Sequence, residues 1–235
     1  MDFLGSVVTW FTEAGHWSGP DGIVQRLAEH VQLSAESVAV GALIALPVGI
    51  ALGHYGRFGN VAINVSNVGR AVPSFGILVI AFQIFGLGDL PIVIALAALA
   101  IPPMVTNSYV ALREVDPDIK EAARGMGYRE LALLLRVELP LAVPLVMAGI
   151  RTSAVQVVAT ATLAAIIAGG GLGRYIIDGF AQQDYTKLFA GAVLVAVLAT
   201  ATELSLAAVE RLLVPRGMRL LRTPTAQRAA TFKTA

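Results

Sequence analysis

Five stretches of this chain are long and apolar enough to cross a bilayer, and they leave little room for any fold but a bundle of membrane helices. About 20 apolar residues in a helix span a bilayer core. Ser37–Gly56 and Leu90–Leu112 contain no Asp, Glu, Lys or Arg. Val61–Phe85 contains only Arg70 and Leu141–Ala168 only Arg151, while Leu188–Leu212 contains Glu203 and, at its end, Glu210 and Arg211. Backbone groups in lipid need partners within their own segment, so each stretch is expected to be helical. Composition agrees. Hydrophobic residues make up 56% of the 235 and charged residues 14%, against about 25% charged in a soluble domain.

What lies outside these stretches narrows the chemistry. There is no cysteine, which excludes disulfides and thiolate sites. The histidines His16, His30 and His54 show no metal-ligand spacing and are expected at surface or interfacial positions. Met1-Asp2-Phe3-Leu4 lacks the basic start of a cleaved signal peptide. Phe3–Glu13 reads as a short helix near the membrane interface, where Trp10 and Trp17 suit the headgroup boundary.

Orientation follows from the basic residues between the spans. With the N-terminus outside, the inner side holds Arg57, then Arg113, Lys120, Arg124, Arg129 and Arg136, then Arg211, Arg216, Arg219, Arg222, Arg228 and Lys233. The outer side holds only Arg26, Arg174 and Lys187. This asymmetry predicts five helices with the N-terminus outside and the C-terminus inside. The expected layout is an extracytoplasmic N-terminal segment over 1–30, a permease-type membrane domain over 31–213 and a basic, disordered tail over 214–235. The first membrane helix is expected to start between Val31 and Val38.

The inner loop over 113–140 carries the most specific pattern. Asp116-Pro117 is a helix start, since Asp accepts free backbone N–H groups and proline fits the first turn. A short helix over Asp118–Arg124 is expected to stop at Gly125 or Gly127. A second helical run, Arg129–Val137, leads to Leu139-Pro140. Ala122 and Ala123 leave a low surface for another protein to approach.

Glu121-Ala122-Ala123, Gly127, Val137 and Leu139-Pro140 stand at the spacing of the loop shared by importer permeases of the ATP-binding cassette class, with valine in place of isoleucine. The chain resembles that family over roughly Ala35–Leu212. Val72-Pro73-Ser74-Phe75-Gly76, Ala148-Gly149-Ile150-Arg151-Thr152, Ala161-Thr162-Leu163-Ala164 and Gly169–Gly173 look like its osmoprotectant branch. The resemblance implies an all-α permease core resembling methionine permeases, in a bacterial inner membrane. It implies that Glu121, Ala122, Ala123 and Gly127 touch a separate ATPase and that Leu139-Pro140 sets the return into the membrane. That ATPase would use ATP and Mg; the chain itself would bind no cofactor and catalyse nothing. Other implied partners are a periplasmic or lipid-anchored substrate-binding protein, membrane lipid, and a second permease copy or paralogue. Nothing points to nucleic acid. The implied substrate is glycine betaine, carnitine, choline or proline; methionine or another small solute is the alternative within the class.

Arg70, Arg151 and Glu203 lie within apolar runs, where charges usually face a partner or a wet cavity. One reading has Glu203 locking the bundle by pairing with Arg151 or Arg70. The other has an arginine lining the substrate pathway with Pro73, Ser74 and Phe75. Pro73 is expected to kink or unwind the second helix, and Pro102-Pro103 to break the third. Gly169–Gly173 lacks the lysine of a phosphate-binding loop. Its glycines are expected to loosen the exit of the fourth helix, the alternative being part of an outer gate. A membrane enzyme or a secondary transporter are the competing classes; no zinc-protease motif or intramembrane aspartate supports the first, and five spans are few for the second.

Overall fold

A computed structural model describes residues 3–56, 59, 63–64, 67, 69, 71–167 and 169–214, and every described element is helical. Helix α1 is Phe3–Thr12, followed by a 3-10 turn, Ala14–His16. Then come α2 (Ile23–Tyr55), α3 (Ser74–Phe85), α4 (Asp89–Arg113), α5 (Pro117–Gly125) and α6 (Glu130–Leu133). A π turn, Leu134–Glu138, joins α6 to α7 (Leu139–Thr160); a 3-10 turn, Ala161–Ile167, precedes α8 (Gly173–Gln182) and α9 (Tyr185–Leu213).

Among the described residues, four helical runs are long and apolar enough to cross a membrane: α2, α4, Glu130–Ile167 and α9. They correspond to the first, third, fourth and fifth expected spans. Of the second, the structure describes α3, which starts directly after Pro73 as that proline's geometry requires. Arg57, Arg70 and the tail beyond Val214 lie outside the described residues.

Helix α4 is the axis of the bundle and packs against α2, α7 and α3. It is buried along most of its length, which is why Leu90–Leu112 carries no charge. Against it α2 lays a stripe of small residues at four-residue spacing: Gly41, Ala45, Gly49 and Gly53. A Cβ on Gly49 would stand 2.8 Å from the Ser108 Cβ, and one on Gly53 2.7 Å from the Leu112 Cβ. Small residues let two backbones approach closely, the main source of helix association in lipid. The spacing was visible in the sequence, but its partner was not.

Two expectations about the spans need correcting. Helix α2 starts at Ile23, upstream of the expected Val31–Val38, so Arg26, Glu29 and His30 ride on the same rod as the first span. Helix α4 runs unbroken through Pro102 and Pro103. Its neighbours enclose that stretch: both prolines are buried, and Ser153 of α7 donates to the Ala100 carbonyl at 2.8 Å. The run before Leu139-Pro140 continues through a π turn into α7. Leu139 N–H bonds back to the Leu134 carbonyl, one residue further than in an α-helix. That wider turn accommodates a proline that lacks an N–H and would crowd the previous turn.

Two of the histidines differ from expectation, and Trp10 packs inward. Trp10 is 8% exposed and packs edge-on against Tyr175, with ring centroids 5.5 Å apart. His30 is 1% exposed and the His54 side chain 4%, so neither is a surface histidine. Trp17 and His16 stay more open.

Candidate functional site

Helix α5 projects from one end of the bundle. The Asp116 side chain accepts from the Asp118 N–H at 2.9 Å, and Pro117 opens the helix. Gly127, at φ +84°, ends it: its N–H meets the Arg124 carbonyl at 2.9 Å and the Tyr128 N–H that of Ala123 at 3.2 Å. A side chain would be strained at that φ, so Gly127, not Gly125, is the stop. Glu121 and Ala122 are exposed. Ala123 is 2% exposed and faces the chain's own interior, so only Ala122 supplies low outer surface. Around it lie exposed apolar side chains, Ile119, Met126 and Leu131. A knob with that much bare apolar surface is suited to a protein groove. Leu139 and Pro140, both half-buried, open α7.

Behind the knob lies a buried charged cluster that the sequence did not reveal. Glu138 is fully buried. Its Oε2 stands 2.5 Å from the His54 Nδ1, and its Oε1 3.2 Å from the Lys120 Nζ. Lys120 also donates to the Leu112 carbonyl at 2.7 Å. Glu138 adjoins the Leu139-Pro140 motif, but a glutamate beside a basic loop reads as solvated.

Deeper in the bundle, Arg151 of α7 is held by two carboxylates of α9. It pairs with Glu203, as one reading of the sequence has it, and with Glu210 at 2.7 Å. Glu210 was legible only as a charge at a span's end. Pro73, Ser74 and Phe75 do not join this cluster. Ser74 faces Leu78, Ile92 and Thr160 in a narrow cleft, and Thr160 stands about 14 Å along α7 from Arg151 at 1.5 Å per residue. Pro73 and Phe75 are exposed.

At the far end of α2 the glycine run is gripped, not loosened. Glu29 accepts the Gly171 N–H at 2.8 Å, and the His30 Nδ1 accepts the Leu172 N–H at 3.2 Å. The His30 Nε2 therefore carries the proton and donates to the Val158 carbonyl at 2.9 Å. Gly171 has φ +88°, and a Cβ there would lie 3.0 Å from the His30 ring. Glycine here permits a close approach to α2. The Tyr175 hydroxyl donates to the Asp21 carbonyl at 2.6 Å. Burial pushes that phenol above the ordinary tyrosine range, so it stays a donor. Arg26 bridges Asp21 and Glu29.

Membrane-length helices thus surround a buried axis, with a capped knob at one end. An inward-facing structure of the MetNI methionine ABC transporter matches this arrangement with a TM-score of 0.71 at 22% identity, over 82% of this chain and 96% of that one. The family model described as "Binding-protein-dependent transport system inner membrane component" matches residues 42–215, and the chain belongs to that family. The carnitine transport permease protein OpuCB of Listeria monocytogenes is 36% identical over 92% of this chain and 97% of its own. The choline transport system permease protein OpuBB of Bacillus subtilis is also 36% identical, over 85% and 92%. The protein is thus a membrane permease subunit of an importer, and its relatives are transport proteins, not enzymes. Such a permease works with an ATPase, a binding protein and a further permease subunit.

Proposed function

We propose that the chain forms the membrane pathway of an ATP-driven importer of compatible solutes, namely carnitine, choline, glycine betaine or proline. The substrate class rests on the likeness to carnitine and choline permeases across nearly the whole chain. The coupling role rests above all on α5: a capped helix bearing Glu121, Ala122 and Gly127 with apolar surface beside it. In this reading α5 docks on the ATPase, which uses ATP and Mg, and the α5 end of the bundle faces the cytoplasm. The glycine-run end then faces the binding protein. The pathway opens alternately to the two sides, and the two arrangements bind solute with different affinity. Arg151 is held by Glu203 and Glu210, so its first role is to lock α7 to α9. It could still meet a substrate carboxylate when that lock opens.

The test is uptake into proteoliposomes carrying this chain, its ATPase and its binding protein. ATP-dependent accumulation of labelled carnitine, choline, glycine betaine or proline is expected, lost when Gly127 is replaced by a bulky residue. Accumulation of labelled methionine instead would overturn the substrate class and leave the importer role standing.

A further inference from the structure

The knob formed by α5 is joined to the spans at one buried point. Glu138, at the end of the π turn, is 0% exposed. A carboxylate so placed needs positive partners, because desolvation strongly disfavours an unpaired charge. One oxygen meets His54, in the last turn of α2; the other lies 3.2 Å from the Lys120 Nζ, on α5. The same Nζ donates to the Leu112 carbonyl, one of those left without an in-helix partner where α4 ends. A cation there also suits the negative end of the α4 dipole. Lys120 thus touches α4 and the start of the α7 run directly, and α2 through Glu138.

The neighbouring pair on the same knob is different in kind. Arg124 bonds Glu130 at 3.0 and 3.2 Å, and the Glu130 Oε2 also lies 3.5 Å from the His54 Nε2, but Arg124 and Glu130 are both exposed. Exposed pairs are screened and yield easily, whereas buried ones interact in a low dielectric and hold their geometry. A displacement of α5 reaches the spans through the contacts that do not yield.

We infer that Lys120, Glu138 and His54 are positioning residues that form the transmission joint between α5 and the ends of α2, α4 and α7. The inference rests on the reading of α5 as the ATPase docking helix. It predicts that breaking the joint separates ATP hydrolysis from solute movement without detaching the ATPase.

The experiment uses the reconstituted complex and reads solute moved per ATP hydrolysed. The solute is whichever of labelled carnitine, choline, glycine betaine, proline and methionine the unaltered complex accumulates. The double variant Lys120→Met/Glu138→Gln removes both charges together, which spares the fold an uncompensated one. It is expected to hydrolyse ATP while the ratio drops about ten-fold, within the range seen for residues that couple distant sites. His54→Gln leaves the Lys120 contacts in place and is expected to lower the ratio about three-fold. An unchanged ratio in either variant overturns the joint, as does loss of the ATPase from both. The docking reading is tested separately. The chain has no cysteine, so Glu121→Cys can carry a single photo-crosslinker. Crosslinking to the ATPase with an unchanged ratio in the double variant overturns the joint alone. Absence of crosslinking in an actively transporting complex overturns the docking reading on which it rests.

Discussion

The two ends of α2 are held by opposite means. At one end, the buried Glu138 carboxylate sits between the Lys120 ammonium and the His54 ring. At the other, Glu29 and His30 reach past their own helix to take backbone N–H groups of Gly171 and Leu172. The first junction depends on Lys120 and Glu138 being present together; losing one leaves the other without its opposite charge. The second depends on emptiness, because the glycine backbone fits only while no side chain stands between it and α2. A charged contact ties the knob to the bundle, while close backbone packing seals a loop against a helix. One end should therefore fail by electrostatics and the other by sterics.

That contrast can be broken most severely at Glu138. Glu138→Ala strands the charge of Lys120, removes the Nδ1 partner of His54 and is expected to cost about 3–5 kcal/mol, the range for halving a buried pair. Thermal unfolding of the detergent-solubilised protein measures it, and Lys120→Met/Glu138→Gln should unfold nearer the parent. If the double variant is no better than Glu138→Ala, the junction is not electrostatic.

The steric end comes next. Gly171→Ala forces a side chain into a positive φ against His30 and is expected to cost about 1–3 kcal/mol. In the same melt, a shift no larger than that from Ala substitution at an open glycine such as Gly125 would refute the close-approach account. Glu29→Ala should cost about 1 kcal/mol, since it removes the acceptor of the Gly171 N–H and a partly exposed partner of Arg26 but leaves the glycine geometry intact. Faster hydrogen exchange at the Gly171 amide is the readout. The smallest effect is expected at Arg124→Ala: its pair with Glu130 is exposed, and no measurable change in melting should follow. A large change there would remove the distinction between the buried joint and its surface neighbour.

The sequence shows most of the fold because lipid makes the rule simple: a charge-free run of sufficient length must be a helix. It also shows α5, because Asp116, Pro117 and Gly127 act through local backbone geometry. It goes astray where neighbours override local preference. Pro102 and Pro103 would break an isolated helix, yet α4 is enclosed and continues. The glycine run looks like slack and is packed tight. The histidines read as surface residues because nothing within a few positions could satisfy them; their partners stand 84 and 128 residues away.

Apolar length, basic asymmetry and helix-end chemistry are properties of neighbouring residues, and the sequence by itself determined what rests on them. That covers a helical membrane chain, a capped helix between spans, and the loop pattern that places it among importer permeases. Tertiary structure alone decided that Arg151 answers to both Glu203 and Glu210, that Ala123 turns inward, and that Lys120 gathers the ends of the spans around Glu138. The physical reason is the same in each case. A buried charge or a close backbone contact is stable only with a specific partner, and the fold brings those partners from distant parts of the chain.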